Sequence, residues 1–167
     1  MLQRAMISMA LACQPALLIA DEPTTALDVT IEAQILELMK DLRKKTNSSI
    51  LMITHDLGII AETCDRLGVM YAGNIVELGD MPVIFNNPCH PYTKGLMGAI
   101  PKTTTEAGKR LETIPGSVPN LTFPPPGCRF HPRCTKAMDI CKKEKPVPIE
   151  VEKGHFVSCH LYGGVSK

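Results

Sequence analysis

A chain of 167 residues with 44% hydrophobic content is long enough for one ordinary soluble domain. A formal net charge of +1 excludes the general basic field that draws in nucleic acid or an anionic membrane. No apolar run approaches the roughly 18–20 residues of a spanning helix, so any work at a membrane requires something else to hold the chain there.

Residues 2–12 are rich in Ala, Met and Leu and lack Gly and Pro, which predicts a helix stopped by Pro15. Arg4 followed by the small and apolar residues up to Cys13 has the outline of a short secretory signal. Gln14-Pro15, however, leads straight into Ala16-Leu17-Leu18-Ile19-Ala20 and two acids, which is domain interior rather than a mature terminus. Residues 17–20 predict a strand buried on both faces of a parallel sheet. Ile31, Ile35, Leu38, Met39 and Leu42 then fall on one stripe of an amphipathic helix that ends at Thr46-Asn47-Ser48. Residues 49–53 predict another buried strand, and residues 57–64 a short helix with Asp56 as N-cap. Residues 67–72 and 75–78 flank Gly73-Asn74, a hairpin signal. Helix, strand, helix, strand, helix and hairpin make half of a layered α/β domain, with an edge and a face still to be covered. Beyond residue 80 a loop over residues 86–92 precedes a short helix to Ala99, and residues 101–127 form a Pro-, Thr- and Gly-rich linker.

Asp21 and Glu22 stand at the carboxyl end of the first strand, the edge of an open α/β sheet where ligands bind. Hydrolysis of a nucleoside triphosphate needs Mg²⁺ held against the phosphates and a positioned water. Asp21 suits the first task and Glu22 the second; alone, the dipeptide reads more simply as the start of a loop. The run Asp21-Glu22-Pro23-Thr24-Thr25-Ala26-Leu27-Asp28 resembles the Walker B strand and D-loop of ABC ATPases. Ile53-Thr54-His55-Asp56 is similar to the family's switch-histidine segment, and Gln3-Arg4 to the residues that follow its signature motif. The resemblance covers residues 2–80 and implies a partial P-loop NTPase fold, with ATP and Mg²⁺ as cofactors. It assigns Glu22 and His55 to catalysis, Asp21 to the metal–nucleotide, and Asp28 to a seam with a second ATPase subunit. No P-loop and no complete signature occur in the sequence, so the chain alone is expected neither to bind ATP tightly nor to hydrolyse it.

Phe85-Asn86-Asn87-Pro88-Cys89-His90-Pro91-Tyr92 resembles the His-Pro-Tyr segment that opens the C-terminal extension of oligopeptide and dipeptide importer ATPases. Pro115-Gly116-Ser117-Val118-Pro119, residues 127–134 and residues 155–162 continue the likeness. It implies a peripheral subunit on the cytoplasmic face of the membrane, docked on permease subunits and fed indirectly by an extracytoplasmic peptide-binding protein. Nickel and some glycan importers share the extension, so the substrate follows by analogy alone. A soluble ABC ATPase without a permease, and a metal-binding module with a vestigial ATPase half, are the alternatives.

Seven cysteines include a terminal group, Cys128, Cys134, Cys141 and Cys159. An intracellular protein keeps such thiols reduced, which favours a metal site over disulfides. The spacing lacks the paired knuckles of structural zinc sites, although zinc remains open with His131 or His160 as substitute ligands. The family resemblance implies a [4Fe–4S] cluster on these four cysteines. Unligated thiols are the remaining possibility; Arg129, Arg133, Lys136, Lys142 and Lys143 would offset the charge of a metal centre. Cys13 and Cys64 read as buried apolar residues, and Cys89 as ordinary. The expected organisation is therefore an ATPase half over residues 1–80, a linker with the His-Pro-Tyr segment over 81–127, and an irregular cysteine-rich extension over 128–162.

Overall fold

The structure, a computed structural model, describes residues 2–25, 27–100 and 113–163. It is a mixed α/β structure that divides into two compact units, Met1–Cys64 and Asp65–Lys167. The β-hairpin, grouped with the N-terminal half on sequence, lies in the second unit.

The first unit runs α1 (Leu2–Leu11), β1 (Leu17–Asp21), α2 (Val29–Thr46), β2 (Ser49–Ile53) and α3 (Leu57–Thr63). Helix α2 is fastened at both ends. The Asp28 carboxylate accepts the Ile31 N–H at 2.9 Å, and Asn47 closes the helix in the left-handed conformation, φ 52°. Arg43, Lys44 and Lys45 face the negative end of the helix dipole. Ile35, Leu36 and Met39 are its buried residues; Ile31, at the end of the predicted stripe, is exposed. Asp56 caps α3 by accepting the N–H groups of Gly58 and Ile59.

Strands β1 and β2 pair in parallel from Leu17↔Ser49 to Asp21↔Ile53, so their carboxyl ends coincide. Their expected burial on both faces is not what the structure shows. Leu17, Ile19, Leu51 and Ile53 share one face and are between 47% and 60% exposed, whereas Leu18, Ala20, Ile50 and Met52 on the other face are half-buried. The sequence is apolar on both faces, but the described residues cover only one. The same cause leaves Cys13 exposed and Cys64 half-buried, correcting the expectation that both are interior.

The second unit is built on an antiparallel sheet in the order β3-β4-β6-β5, with β3 at Arg66–Tyr71, β4 at Asn74–Asp80, β5 at Ile149–Glu152 and β6 at His155–Val157. The hairpin turn is Ala72-Gly73 rather than Gly73-Asn74: both turn residues have positive φ, 47° and 79°, and Asn74 already pairs with Tyr71. Two short helices follow β4: α4 (Met81–Asn86), absent from the sequence expectation, and α5 (Pro91–Gly98). The cysteine-rich stretch is less irregular than expected, because residues 149–157 fold back as β5 and β6 onto β4. The linker over 101–112 lies outside the described residues.

Glu77 holds this unit together. Its side chain is fully buried, with Oε1 accepting the Cys89 N–H at 2.7 Å and His155 Nε2–H at 2.8 Å, and Oε2 accepting the His90 N–H at 2.9 Å. One carboxylate thus joins β4, the His-Pro-Tyr segment and β6. Tyr92 extends the joint: its ring lies 4.7 Å from Tyr71 on β3 and 5.4 Å from Phe130 in the cysteine-rich stretch, centroid to centroid. Glu77→Ala strips the acceptor from three buried donors and should lower the unfolding free energy by about 3–5 kcal/mol. Cutting the exposed Arg66–Asp80 pair (3.7 Å) with Arg66→Gln should cost less than about 1 kcal/mol. Urea titrations of both variants check this contrast.

Candidate functional site

Two groups of chemically capable residues stand out, one in each unit. The first lies at the carboxyl edge of β1 and β2. Pairing brings the ends of both strands level, and the Glu22 N–H donates to the Ile53 carbonyl at 2.9 Å. Glu22 has φ 45°, a left-handed turn that takes its side chain out of the strand's alternation. Its Oε1 lies 3.2 Å from His55 Nδ1, and its Oε2 accepts the Thr25 hydroxyl at 2.8 Å. These two hydrogen bonds, from Thr25 first and His55 second, hold the Glu22 carboxyl below the ordinary glutamate range. Asp21 ends β1 as an exposed carboxylate beside this pair. Asp28 stands apart from it: its Oδ1 is committed to the Ile31 N–H at the head of α2. Thr25 is the participant that sequence reasoning missed, although it stands inside the quoted Asp21–Asp28 run. The side chains of Gln3 and Arg4, and all of Ala26, lie outside the described residues.

The second group is the four terminal cysteines. Cys128 and Cys141 are locked together through the backbone, the Cys128 N–H donating to the Cys141 carbonyl at 2.8 Å. Gly127 makes this approach possible: its φ is 68°, and a Cβ there would stand 2.4 Å from the Cys141 carbonyl oxygen. Cys134 follows a 3₁₀ turn, His131–Arg133, Cys141 is inside a second, Asp139–Lys142, and Cys159 follows β6. All four are free thiols. Burial pushes the Cys159 thiol up to about 11, and Cys128, Cys134 and Cys141 each add to that rise. Burial likewise raises Cys128 and Cys134.

The side chains expected to neutralise or replace these ligands are largely occupied elsewhere. Arg133 donates to the carbonyls of Pro115 at 2.8 Å and Ile114 at 3.1 Å, and Arg129 to the Ala72 carbonyl. Lys142 pairs with Asp139 at 3.3 Å. His131 Nδ1 donates to the Cys128 carbonyl at 2.9 Å, and His160 Nε2 to that of Glu144 at 3.0 Å. A further group with ligand-type atoms, Glu77, Cys89 and His155, is fully buried, but the Glu77 oxygens already accept three hydrogen bonds and form the structural joint described above. Cys89, read as ordinary on sequence, is buried in that joint.

Residues 76–141 match the family model described as oligopeptide/dipeptide transporter, C-terminal region. The chain is 56% identical over 97% of its length to the oligopeptide transport ATP-binding protein AppD of Bacillus subtilis, covering 49% of that protein. It is 51% identical over 96% of its length to the dipeptide transport ATP-binding protein DppD of the same organism (48% of that protein), and 50% identical over 95% to the oligopeptide transport ATP-binding protein OppD of Escherichia coli (47%). The chain matches the C-terminal part of oligopeptide/dipeptide transport ATP-binding proteins. It spans about half the length of the curated relatives it matches, and the family's C-terminal region accounts for Glu77, the His-Pro-Tyr segment and the first three of the four cysteines. No helix among the described residues is long and apolar enough to cross a membrane.

The Glu22 geometry sets the sign of a pH effect. A carboxyl depressed in the folded state contributes stability above its unfolded pKa and loses it as pH falls through the folded value. Thr25→Ala should therefore move the Glu22 titration upward toward the ordinary glutamate range, and His55→Gln should do so by less. Carboxyl-carbon NMR titration of Glu22 in the three proteins measures both shifts.

Proposed function

We propose that this chain supplies the hydrolytic edge of the nucleotide site in the ATP-binding subunit of an importer for oligopeptides or dipeptides. The observation that carries the reading is the Glu22–His55 contact of 3.2 Å at the shared carboxyl end of two parallel strands. The residues present suit a Mg²⁺-nucleotide: an exposed carboxylate, a held carboxylate and a histidine converge on an open sheet edge. Bound ATP and Mg²⁺ supply the cleavable phosphoanhydride and neutralise its charge. Asp21 holds the metal, directly or through water. Glu22, kept ionised by Thr25 and His55, orients the attacking water and takes up its proton. His55 is fixed through Nδ1 and keeps its other ring nitrogen for a phosphate oxygen. Asp28 belongs, in this reading, to a seam with a second ATP-binding subunit. The phosphate cradle comes from a P-loop that this sequence does not contain, and the importer's permease subunits hold the assembly at the cytoplasmic face of the membrane.

Cys128, Cys134, Cys141 and Cys159 hold a [4Fe–4S] cluster in the same proposal, with zinc as the competing metal. The support is that the four are free thiols, three of which act electrostatically on Cys159, in a stretch whose regular structure is two 3₁₀ turns and two short strands. Burial disfavours the thiolates of Cys128, Cys134 and Cys159 unless a cation compensates them, and a metal centre supplies that compensation while crosslinking the stretch. Its contribution is structural.

In a subunit completed by a P-loop-bearing segment, Glu22→Gln should cut ATP turnover about 10²–10⁴-fold and leave nucleotide binding intact. Turnover at the parent rate would remove Glu22 from the mechanism. Anaerobically purified chain should be brown, with visible absorption bleached by dithionite. Cys134→Ser and Cys159→Ser should each lose iron while Cys13→Ser keeps it, and colourless protein with one zinc per chain would decide for zinc.

A further inference from the structure

The second unit contains a cavity of about 150 Å³ that neither the nucleotide reading nor the joint at Glu77 uses. Its apolar walls come from Tyr71, Ile75, Val76, Phe130, Pro146 and Pro148. A cavity of this size has room for a benzene-sized or branched aliphatic group. Ile75, on its wall, is 49% exposed, so the cavity opens to solvent beside the β3–β4 hairpin. The lining also carries Arg129 and Lys145 and no carboxylate. Glu77 follows Val76 directly but is not on the cavity wall; its carboxylate is engaged with Cys89, His90 and His155. Arg129 donates one N–H to the Ala72 carbonyl, which fixes the guanidinium at the hairpin turn and leaves donors over. Lys145 is exposed and makes no ion pair among the described residues.

We propose that this cavity is a binding site for a small apolar carboxylate, its single branched or aromatic group filling the Ile75–Phe130–Pro148 space and its carboxylate pairing with Lys145 and Arg129. Apolar walls select for one side-chain-sized group, and two cations without a competing acid select the sign of the charge. Two sources present this chemistry, a free small acid and the C-terminal residue of a peptide. The site is independent of the nucleotide edge in the first unit. It shares the Cys128 side of its wall with the proposed metal centre, so binding is measured on protein of known metal content.

The test uses the full chain and four probes: N-acetyl-leucine, N-acetyl-leucinamide, acetate and Ala-Ala-Leu, followed by amide chemical shifts of Asn74, Ile75 and Ser158. N-acetyl-leucine, with about a dozen non-hydrogen atoms, should bind with Kd on the order of 1 mM. The amide and acetate should each bind at least about tenfold more weakly. Lys145→Gln should weaken the acid about tenfold and leave the amide unchanged. Ile75→Trp should abolish binding of both without loss of fold by circular dichroism; should that variant unfold, Lys145→Gln, an exposed substitution, carries the test alone. Tighter binding of Ala-Ala-Leu supports the site with a peptide terminus as its source, and equal or weaker binding supports it with a free acid. Equal affinity for the acid and the amide, indifference to Lys145→Gln, or no saturation below about 10 mM would overturn the proposal.

Discussion

A buried carboxylate with three donors is the interaction on which the second unit depends. Glu77 stands in register with Val69 and Val157 in the sheet, and its side chain accepts N–H groups from a loop and from a ring nitrogen on another strand. Removing such a group from water is unfavourable, and the geometry offsets that cost only because every bond is made at once. The position of His90 and the start of α5, the packing of Tyr92 on Tyr71 and Phe130, and the addition of β6 to the sheet all follow from that requirement. His90 caps α5 by accepting the Tyr92 N–H at 3.0 Å, and burial holds its own pKa down at about 4, so the ring stays a neutral acceptor at physiological pH.

The two units solve the problem of placing reactive groups differently. In the first, backbone pairing does the work: parallel register makes two strand ends coincide, and a left-handed residue turns one acid toward the histidine. In the second, irregular backbone is held by side chains that grip carbonyls. Arg133 pins residues 114 and 115, Arg129 pins the hairpin turn, and Gly127 lets two cysteine segments touch. Arg129 and Arg133, which look on sequence like counterions for a metal centre, are therefore structural donors.

The first unit was legible because its helices and strands carry their own local signals. Asp56 announces a helix start, Asn47 a helix end, and the apolar runs of β1 and β2 their strands. What was not legible is burial, since a run apolar on both faces says nothing about which face the rest of the described chain covers. In the second unit the local signals are weak. β5 and β6 are four and three residues long, and acquire their conformation as β6 pairs with β4 and β5 with β6. Glu77 reads as one polar residue in a hairpin; its partners lie 12, 13 and 78 positions away, beyond the reach of any periodicity. The cysteines were visible as a set, whereas the approach of the Cys128 and Cys141 segments depends on Gly127 in a way that composition does not reveal.

The distance in sequence between Glu77 and His155 also sets an order of events during synthesis. Helices and neighbouring strands of the first unit can form as they leave the ribosome, because their contacts are local. The sheet of the second unit cannot close until β6 has emerged, 78 residues after the carboxylate that awaits it. Through that interval β4 has an unpaired edge and an acid without its ring partner, which is a state open to wrong pairing and to proteases. A chain that stops before residue 155 lacks β6, and so leaves that edge of β4 unpaired and Glu77 without its ring partner.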